Sequence, residues 1–71
     1  MKNLLTEREI NVITYLKEGL TNKEIANNLS ISIHTVKAHL ESIYEKLQVK
    51  NRVQAVIKVA NSSMFFSEHK Y

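Results

Sequence analysis

The sequence has no cysteine and no proline, and only one of its 71 residues is glycine. Without cysteine, neither a disulfide framework nor a thiolate metal site can form, and a reducing compartment is compatible with the composition. Without proline, and with so little glycine, almost no position has a residue that strongly disfavours the α-helix. The β-branched residues recur at helical spacing, so we expect an all-α fold. A chain of this length makes one domain, 1–71, near the lower size limit for a single hydrophobic core.

Aspartate and long apolar runs are missing as well. All seven acidic residues are glutamate, so the usual phosphate-accepting aspartate of a receiver domain is not present. No apolar stretch approaches the roughly 20 residues of a membrane-spanning helix, and the first five residues are too few for the apolar segment of a signal peptide. We therefore expect a soluble, cytoplasmic protein without a membrane partner.

The net charge of +3 is concentrated in one short stretch. Residues 1–45 carry five basic and six acidic side chains, whereas residues 46–58 carry four basic side chains and no acidic one. Those four are Lys46, Lys50, Arg52 and Lys58. Such a cluster suits salt-dependent contacts with a nucleic-acid backbone, but a solvated surface explains the charge equally well.

Capping signals predict a four-helix, bundle-like domain. Thr6 and Thr21 are each followed three residues later by glutamate, which is the capping-box pattern, and Ser32 is a further N-cap candidate. Asn51 or Lys50 is expected to open the fourth helix. Gly19 can end the first helix in the left-handed conformation. The predicted helices span about residues 7–18, 22–29, 33–46 and 51–60, within a core of 4–60 and ahead of a tail, 61–71.

The segment from Thr21 to Leu47 carries the order of a helix-turn-helix: a short helix, a polar break and a longer helix. The second helix of that motif lies in the DNA major groove. In the longer helix, one narrow stripe is apolar and predicts a single buried face: Val36, Leu40, Ile43 and Leu47. The opposite side carries side chains that can meet a partner: His34, Lys37, Ala38, Glu41 and Glu45. His39 lies beside the stripe, and we expect it to pack or hydrogen bond within the domain.

The fourth helix has more apolar surface than one core requires. Val53, Val56, Ile57 and Ala60 fall at core spacing, with Ala55 and Val59 beside them. Ala55 and Val59 can complete the core or pair with a second copy of the chain, and we favour dimerisation because it sets two recognition helices on successive groove faces. We expect Met64, Phe65 and Phe66 to cover the domain's own core.

Four ordered segments resemble the LuxR/NarL/FixJ-type DNA-binding domain. LTEREINVI, from Leu5 to Ile13, is similar to the family's opening L-T-x-R-E-x-E-V-L. NKEIA and TVKAH, which begin at Asn22 and Thr35, match its second- and third-helix signatures. KLQVKNRVQA, which begins at Lys46, resembles K-L-G-V-x-N/S-R-x-Q/E-A. The resemblance covers about residues 4–60, and the family uses this module alone or as the C-terminal effector domain of a response regulator.

The resemblance implies that the third helix reads the major groove and that the fourth supplies a dimer contact. The candidates for base contact are Lys37, Ala38, His34 and Glu41. The candidates for phosphate contact are Thr35, Asn22, Lys23, Lys46, Lys50 and Arg52. The candidates for the dimer interface are Ala55, Val59 and Lys58. Lysine can donate to guanine, a small apolar side chain can contact the thymine methyl group, and hydroxyl and amide donors suit phosphate oxygens.

One position departs from the family pattern, and two others keep two interpretations open. Gln48 stands where many members of the family have glycine, and a left-handed conformation there costs on the order of 1 kcal/mol. Glu41 can accept a hydrogen bond from cytosine or pair with Lys37 one turn earlier. Arg52 can contact phosphate or pair with an acidic residue of the first helix, such as Glu9.

Catalysis and metal binding find no support in the sequence. His34 and His39 point to different faces, so they cannot combine with His69 in a metal site, and no cysteine or aspartate assists them. No nucleophile has a base and an orienting group beside it. We expect no enzymatic activity, no cofactor and no small-molecule ligand.

The sequence therefore predicts a transcription regulator that binds double-stranded DNA as a homodimer. The rival hypothesis is an interaction module that keeps the helix-turn-helix shape but binds another regulator or a subunit of RNA polymerase. It would use Glu41, Glu45 and the Phe65–Phe66 segment.

Overall fold

The computed structural model describes residues 5–61, and these form four α-helices without a strand. The helices are α1 (Glu7–Lys17), α2 (Asn22–Leu29), α3 (Ile33–Leu47) and α4 (Arg52–Ala60). The predicted all-α fold is confirmed, and the helix bounds differ from the expected ones by one residue at most. The predictions for Met64, Phe65, Phe66 and the rest of the tail after Asn61 lie outside the described residues.

Each helix begins at the cap that its sequence specifies. Thr6 and Thr21 both form complete capping boxes, in which the hydroxyl accepts from the backbone of the glutamate three residues on and that glutamate accepts in return. The Ser32 hydroxyl accepts from the Thr35 N–H at 3.0 Å. Asn51 caps α4 through the Gln54 N–H at 2.9 Å, so Asn51 precedes the helix rather than opening it.

Three helices end in a residue with left-handed backbone. These residues are Gly19, Ser30 and Gln48, with φ of 91°, 58° and 59°. After each of them the next N–H reaches back to a carbonyl of the last helical turn: Leu20 to Tyr15, Ile31 to Ala26 and Val49 to Tyr44. This pattern satisfies carbonyls that would otherwise lack partners. It begins each of the three connections, from α1 to α2, from α2 to α3 and from α3 to α4.

The core is built around α3, which packs against α1, α2 and α4. The predicted stripe of α3 is buried throughout. The buried apolar side chains are Leu5, Val12, Ile13, Leu16, Ile25, Ala26, Val36, Leu40, Ile43, Leu47, Ala55 and Val59. Ile31, in the turn before α3, packs against them.

Helix α4 turns a different face to the core than its spacing predicts. Ala55 and Val59 are buried and Val56 is partly buried, whereas Val53, Ile57 and Ala60 are exposed. The prediction that Val53, Ile57 and Ala60 face the core is therefore wrong. The buried face is the one that also carries Arg52: Ala55 and Val59 follow it at i+3 and i+7, and Arg52 bonds to Asn22 at the start of α2.

No helix within residues 5–61 combines the length and the apolar character needed to cross a membrane.

Candidate nucleic-acid interface

The outward face of α3 presents the four residues predicted to contact bases. His34, Lys37, Ala38 and Glu41 are all exposed. Because Val36, Leu40 and Ile43 fix the rotation of the helix from the opposite side, this face has one defined orientation. It offers a cation, a methyl group, an imidazole and a carboxylate within about two turns of helix.

Thr35 lies at the edge of this face and belongs to the cap of α3. Its backbone N–H donates to the Ser32 Oγ, and the two hydroxyl oxygens lie 2.9 Å apart in a second hydrogen bond. Thr35 is half-buried. Its hydroxyl group is thus held in place at the start of α3.

A groove with a volume of about 550 Å³ runs between the start of α2 and the start of α3. It brings together four residues that were predicted separately: Asn22, Lys23, Lys37 and Arg52. The other lining residues are Gly19, Leu20, Thr21 and Ile33. One residue of α3 that is predicted to contact a base therefore lies on the same continuous surface as three residues of α2 and α4 that are predicted to contact phosphates.

Arg52 reaches from α4 to the start of α2. Its Nη1 donates to the Asn22 Oδ1 at 2.8 Å, and its Nη2 donates to the Leu20 carbonyl oxygen. Its guanidinium group is half-buried at this corner. The alternative pairing of Arg52 with Glu9 is wrong, because Glu9 is bound by a different cation.

That cation is Lys46, whose Nζ lies 2.8 Å from the Glu9 Oε1. Glu9 is only 4% exposed, and its carboxylate also accepts from the Ser42 Oγ at 2.7 Å and from the Thr6 N–H at 2.9 Å. One carboxylate thus completes the cap of α1 and ties α1 to α3. The Lys46 ammonium group is thus bound to α1 in the structure, and its predicted contact with phosphate stays a prediction.

The surroundings of Glu9 set its pKa well below the ordinary value. Burial by itself raises the pKa of this carboxyl, because desolvation disfavours the charged form. The hydrogen bonds from Lys46, Ser42 and Thr6, together with the charge of Lys46, outweigh burial and lower the pKa to about 2. Glu9 is therefore ionised across the physiological range.

Lys50 and Lys58, the two remaining cations of the basic stretch, are exposed. Lys50 directly precedes the cap of α4, and its backbone N–H donates to the Gln54 Oε1 at 2.8 Å. Lys58 lies in the last turn of α4. Neither residue lines the groove beside α2.

The predicted dimer contact through Ala55 and Val59 needs correction. Their side chains are 0% and 1% exposed within a single chain, so they have no surface left for a second copy. Val53 and Ile57 are 66% and 53% exposed and lie one turn apart on the outer side of α4. Lys58 is exposed next to Ile57. The apolar surface that α4 offers to a partner is thus on its other face.

No group of three or more histidine, cysteine, aspartate or glutamate side chains in residues 5–61 is placed to hold a metal ion. His34 is exposed and His39 is half-buried, on different sides of α3.

Sequence reasoning missed two of the polar contacts between helices, from Arg52 to Asn22 and from Lys46 to Glu9. The second carried a signal, because Glu9, Ile13 and Leu16 share the i, i+4, i+7 spacing of one buried face. A carboxylate on such a face needs a buried partner. The first contact joins residues 30 positions apart and has no local signal.

Comparison of the sequence with known proteins places the chain in a family. The family model described as bacterial regulatory proteins, luxR family, matches residues 3–59. The nitrate/nitrite response regulator protein NarP of Escherichia coli K12 is 49% identical over 55 residues, which are 78% of this chain and 26% of NarP. The CsgBAC operon transcriptional regulatory protein of the same organism is 51% identical over 53 residues, which are 75% of this chain and 24% of that protein.

The response regulator protein VraR of Staphylococcus aureus NCTC 8325 is 46% identical over 54 residues, which are 76% of this chain and 26% of VraR. The chain spans about a quarter of the length of these relatives.

Proposed function

Because the chain belongs to the luxR family of bacterial regulatory proteins, we propose that it is a transcription regulator that binds double-stranded DNA in a sequence-specific manner. The observation that carries the proposal is that every residue predicted to contact a base is exposed on the outward face of α3. The groove that Asn22, Lys23 and Lys37 line flanks this face. A helix with one buried and one polar face fits the major groove, which is about 12 Å wide. We place this activity in the bacterial cytoplasm.

In this proposal, α3 lies in the major groove and its outward side chains select the bases. Lys37 donates to guanine O6 and N7, and the Ala38 methyl group contacts a thymine methyl group. His34, in the first turn of α3, reaches a neighbouring base edge. Glu41 accepts from cytosine N4, while its distance of one helical turn from Lys37 also lets the pair steady each other.

The phosphate contacts come from the two edges of this face. Thr35 and Asn22 supply neutral donors, and Lys23 supplies a charge beside Asn22. Lys50 and Lys58 add charge from the segment around α4. Lys46 is left out of this set, since its ammonium group binds Glu9.

Two copies of the chain pair through the outer face of α4. Val53 and Ile57 provide the exposed apolar side chains, and Lys58 borders them. A two-fold axis through this face presents two α3 helices to half-sites about one helical turn of DNA apart. DNA adds to the small apolar contact by binding both copies at once.

A salt titration tests DNA binding. Labelled duplexes selected from a random library are titrated with the chain at several salt concentrations. We expect log K to fall linearly with log salt, with a slope steeper than about −2, because each neutralised phosphate contributes about −0.9. Absence of binding to every library duplex at low salt would contradict the proposal.

The dimer is tested on duplexes that carry one or two half-sites. The wild-type chain should bind two half-sites cooperatively at one spacing, and Ile57→Lys should abolish the cooperativity while leaving single half-site binding in place. Arg8→Lys, which retains the charge of an exposed position on α1, serves as the control. Cooperativity that survives Ile57→Lys would exclude this face of α4.

A further inference from the structure

Arg52 and Asn22 form a contact that joins α4 to the first residue of α2. The Arg52 guanidinium group donates to the Asn22 Oδ1 at 2.8 Å and to the Leu20 carbonyl oxygen. Both side chains are half-buried and both line the groove beside Lys37. Arg52 is thus fixed at two points, on either side of Thr21.

This contact determines which way the Asn22 amide points. The amide has one acceptor oxygen and one donor NH2 group, and a guanidinium group can only donate. If the amide were flipped, two donor groups would face each other at 2.8 Å, which is repulsive. The oxygen therefore faces Arg52, and the NH2 group is the donor that remains to meet another partner.

We propose that Arg52 is a positioning residue for DNA binding: it holds the Asn22 amide so that its NH2 group donates to a phosphate oxygen. This inference rests on the proposed function. Arg52 then acts through Asn22 and does not itself neutralise a phosphate.

Direct phosphate contact by Arg52 and positioning of Asn22 by Arg52 predict different salt dependences of DNA affinity. A guanidinium group that contacts phosphate directly releases counterions, so its removal should reduce the magnitude of the slope of log K against log salt by about 0.9. A neutral amide contact releases none. Loss of positioning should therefore lower affinity at every salt concentration and leave the slope unchanged.

The test is a double-mutant cycle on a library-selected duplex, with Arg52→Lys, Asn22→Ala and the double variant. Arg52→Lys retains the charge but loses the planar guanidinium group that donates to Leu20 and Asn22 at the same time. We expect each single variant to bind about five- to tenfold more weakly, with an unchanged salt slope, and the double variant to bind no more weakly than Asn22→Ala. Thermal unfolding of each variant confirms that the chain is folded at the binding temperature.

Asn22→Asp supplies a second variant, because aspartate keeps the oxygen that accepts from Arg52. Aspartate preserves the acceptor for Arg52, removes the NH2 donor and adds a negative charge that repels phosphate, so binding should weaken although Arg52 stays in place. Adding Arg52→Lys to Asn22→Asp should cause no further loss. A role of Arg52 in stability alone predicts lower melting temperatures with unchanged affinity of the folded protein.

Three results would overturn the inference: free-energy losses that add in the double variant, a slope reduced by about 0.9 in an Arg52→Gln variant, or unchanged affinity of Asn22→Asp. If the wild-type chain binds no duplex, the proposed function itself fails. If the wild-type chain binds and the cycle is additive, only the positioning role fails.

Discussion

At the scale of single residues, Glu9 links the cap of α1 to the cation on α3. Its carboxylate is nearly inaccessible to solvent and accepts from Thr6, Ser42 and Lys46. Removing one partner of a buried, hydrogen-bonded ion pair costs more than the pair contributes, because the other partner is left desolvated and unpaired. The stability of the domain should therefore depend on the ionisation of this one residue.

Acid should destabilise the domain through Glu9. Its pKa is lowered from 4.5 to about 2 in the folded chain, so its contribution is complete above pH 4.5 and is lost as the pH falls toward 2. The shift corresponds to roughly 3 kcal/mol in the free energy of unfolding. Urea denaturation between pH 6 and pH 2 measures this loss.

Two variants, Glu9→Gln and Glu7→Gln, test whether Glu9 causes the acid effect. Glu9→Gln should be less stable than wild type at pH 6 and should lose much less stability on acidification. Glu7→Gln, which alters an exposed residue of the same turn, should retain the wild-type acid response. An acid response of Glu9→Gln equal to that of wild type would show that other groups cause it.

Gln48 and Ser30 hold left-handed backbone conformations that glycine adopts without steric cost. We expect Gln48→Gly to raise the free energy of unfolding by about 1 kcal/mol, and Ser30→Gly to act in the same direction. Gly19→Ala is the converse control. Its φ of +91° disfavours any Cβ although nothing lies near the added atom, so the substitution should lower stability. Chemical denaturation measures all three, and a destabilised Gln48→Gly would contradict this account.

At the scale of helices, local signals predicted starts and stops well because each depends on neighbouring residues. The capping boxes at Thr6 and Thr21, the cap at Ser32 and the left-handed Gly19 are all confirmed. The buried stripe of α3 was equally clear, since its apolar residues occupy a single face. The exposure of the base candidates followed directly from that stripe.

The orientation of α4 could not be predicted in the same way. Its apolar residues lie on two faces, so spacing alone allowed either face to turn inward. The face that turns inward also carries Arg52, which contacts residues 30 and 32 positions away. The same limit applies to Lys46, whose partner is 37 residues distant. The basic residues of this stretch look alike in the sequence. Only the folded chain shows which of them bind other helices and which are exposed.

Two substitutions in α4 test its orientation. Val59 is 1% exposed and Ile57 is 53% exposed. Val59→Ala should lower the free energy of unfolding by about 2 kcal/mol, because it leaves a cavity in the core. Ile57→Ala should change it by less than about 0.5 kcal/mol in the dilute, DNA-free chain. Equal losses, measured by chemical denaturation, would place both residues in the core.

At the scale of the whole molecule, the proposed function assigns selectivity and affinity to different parts of the surface. The outward face of α3 carries Lys37 but also Glu41 and Glu45, so it adds little net positive charge. In the basic stretch, Lys46 and Arg52 hold helices together, while Lys50 and Lys58 are exposed. Backbone affinity should therefore be moderate for one copy of the chain, and pairing through α4 would multiply it.

The most direct test of the central claim is whether Lys37 discriminates between sequences. Wild type, Lys37→Ala and Arg8→Ala are each titrated against a library-selected duplex and a scrambled duplex of the same composition. Arg8→Ala also removes one positive charge, but at the start of α1, whereas the groove lies beyond the end of α1. We expect Lys37→Ala to lose at least about tenfold in affinity for the selected duplex and much less for the scrambled one, since a lysine–guanine contact discriminates by about 1–3 kcal/mol. Arg8→Ala should preserve the ratio of the two affinities. Equal losses of Lys37→Ala on both duplexes would contradict base recognition by α3.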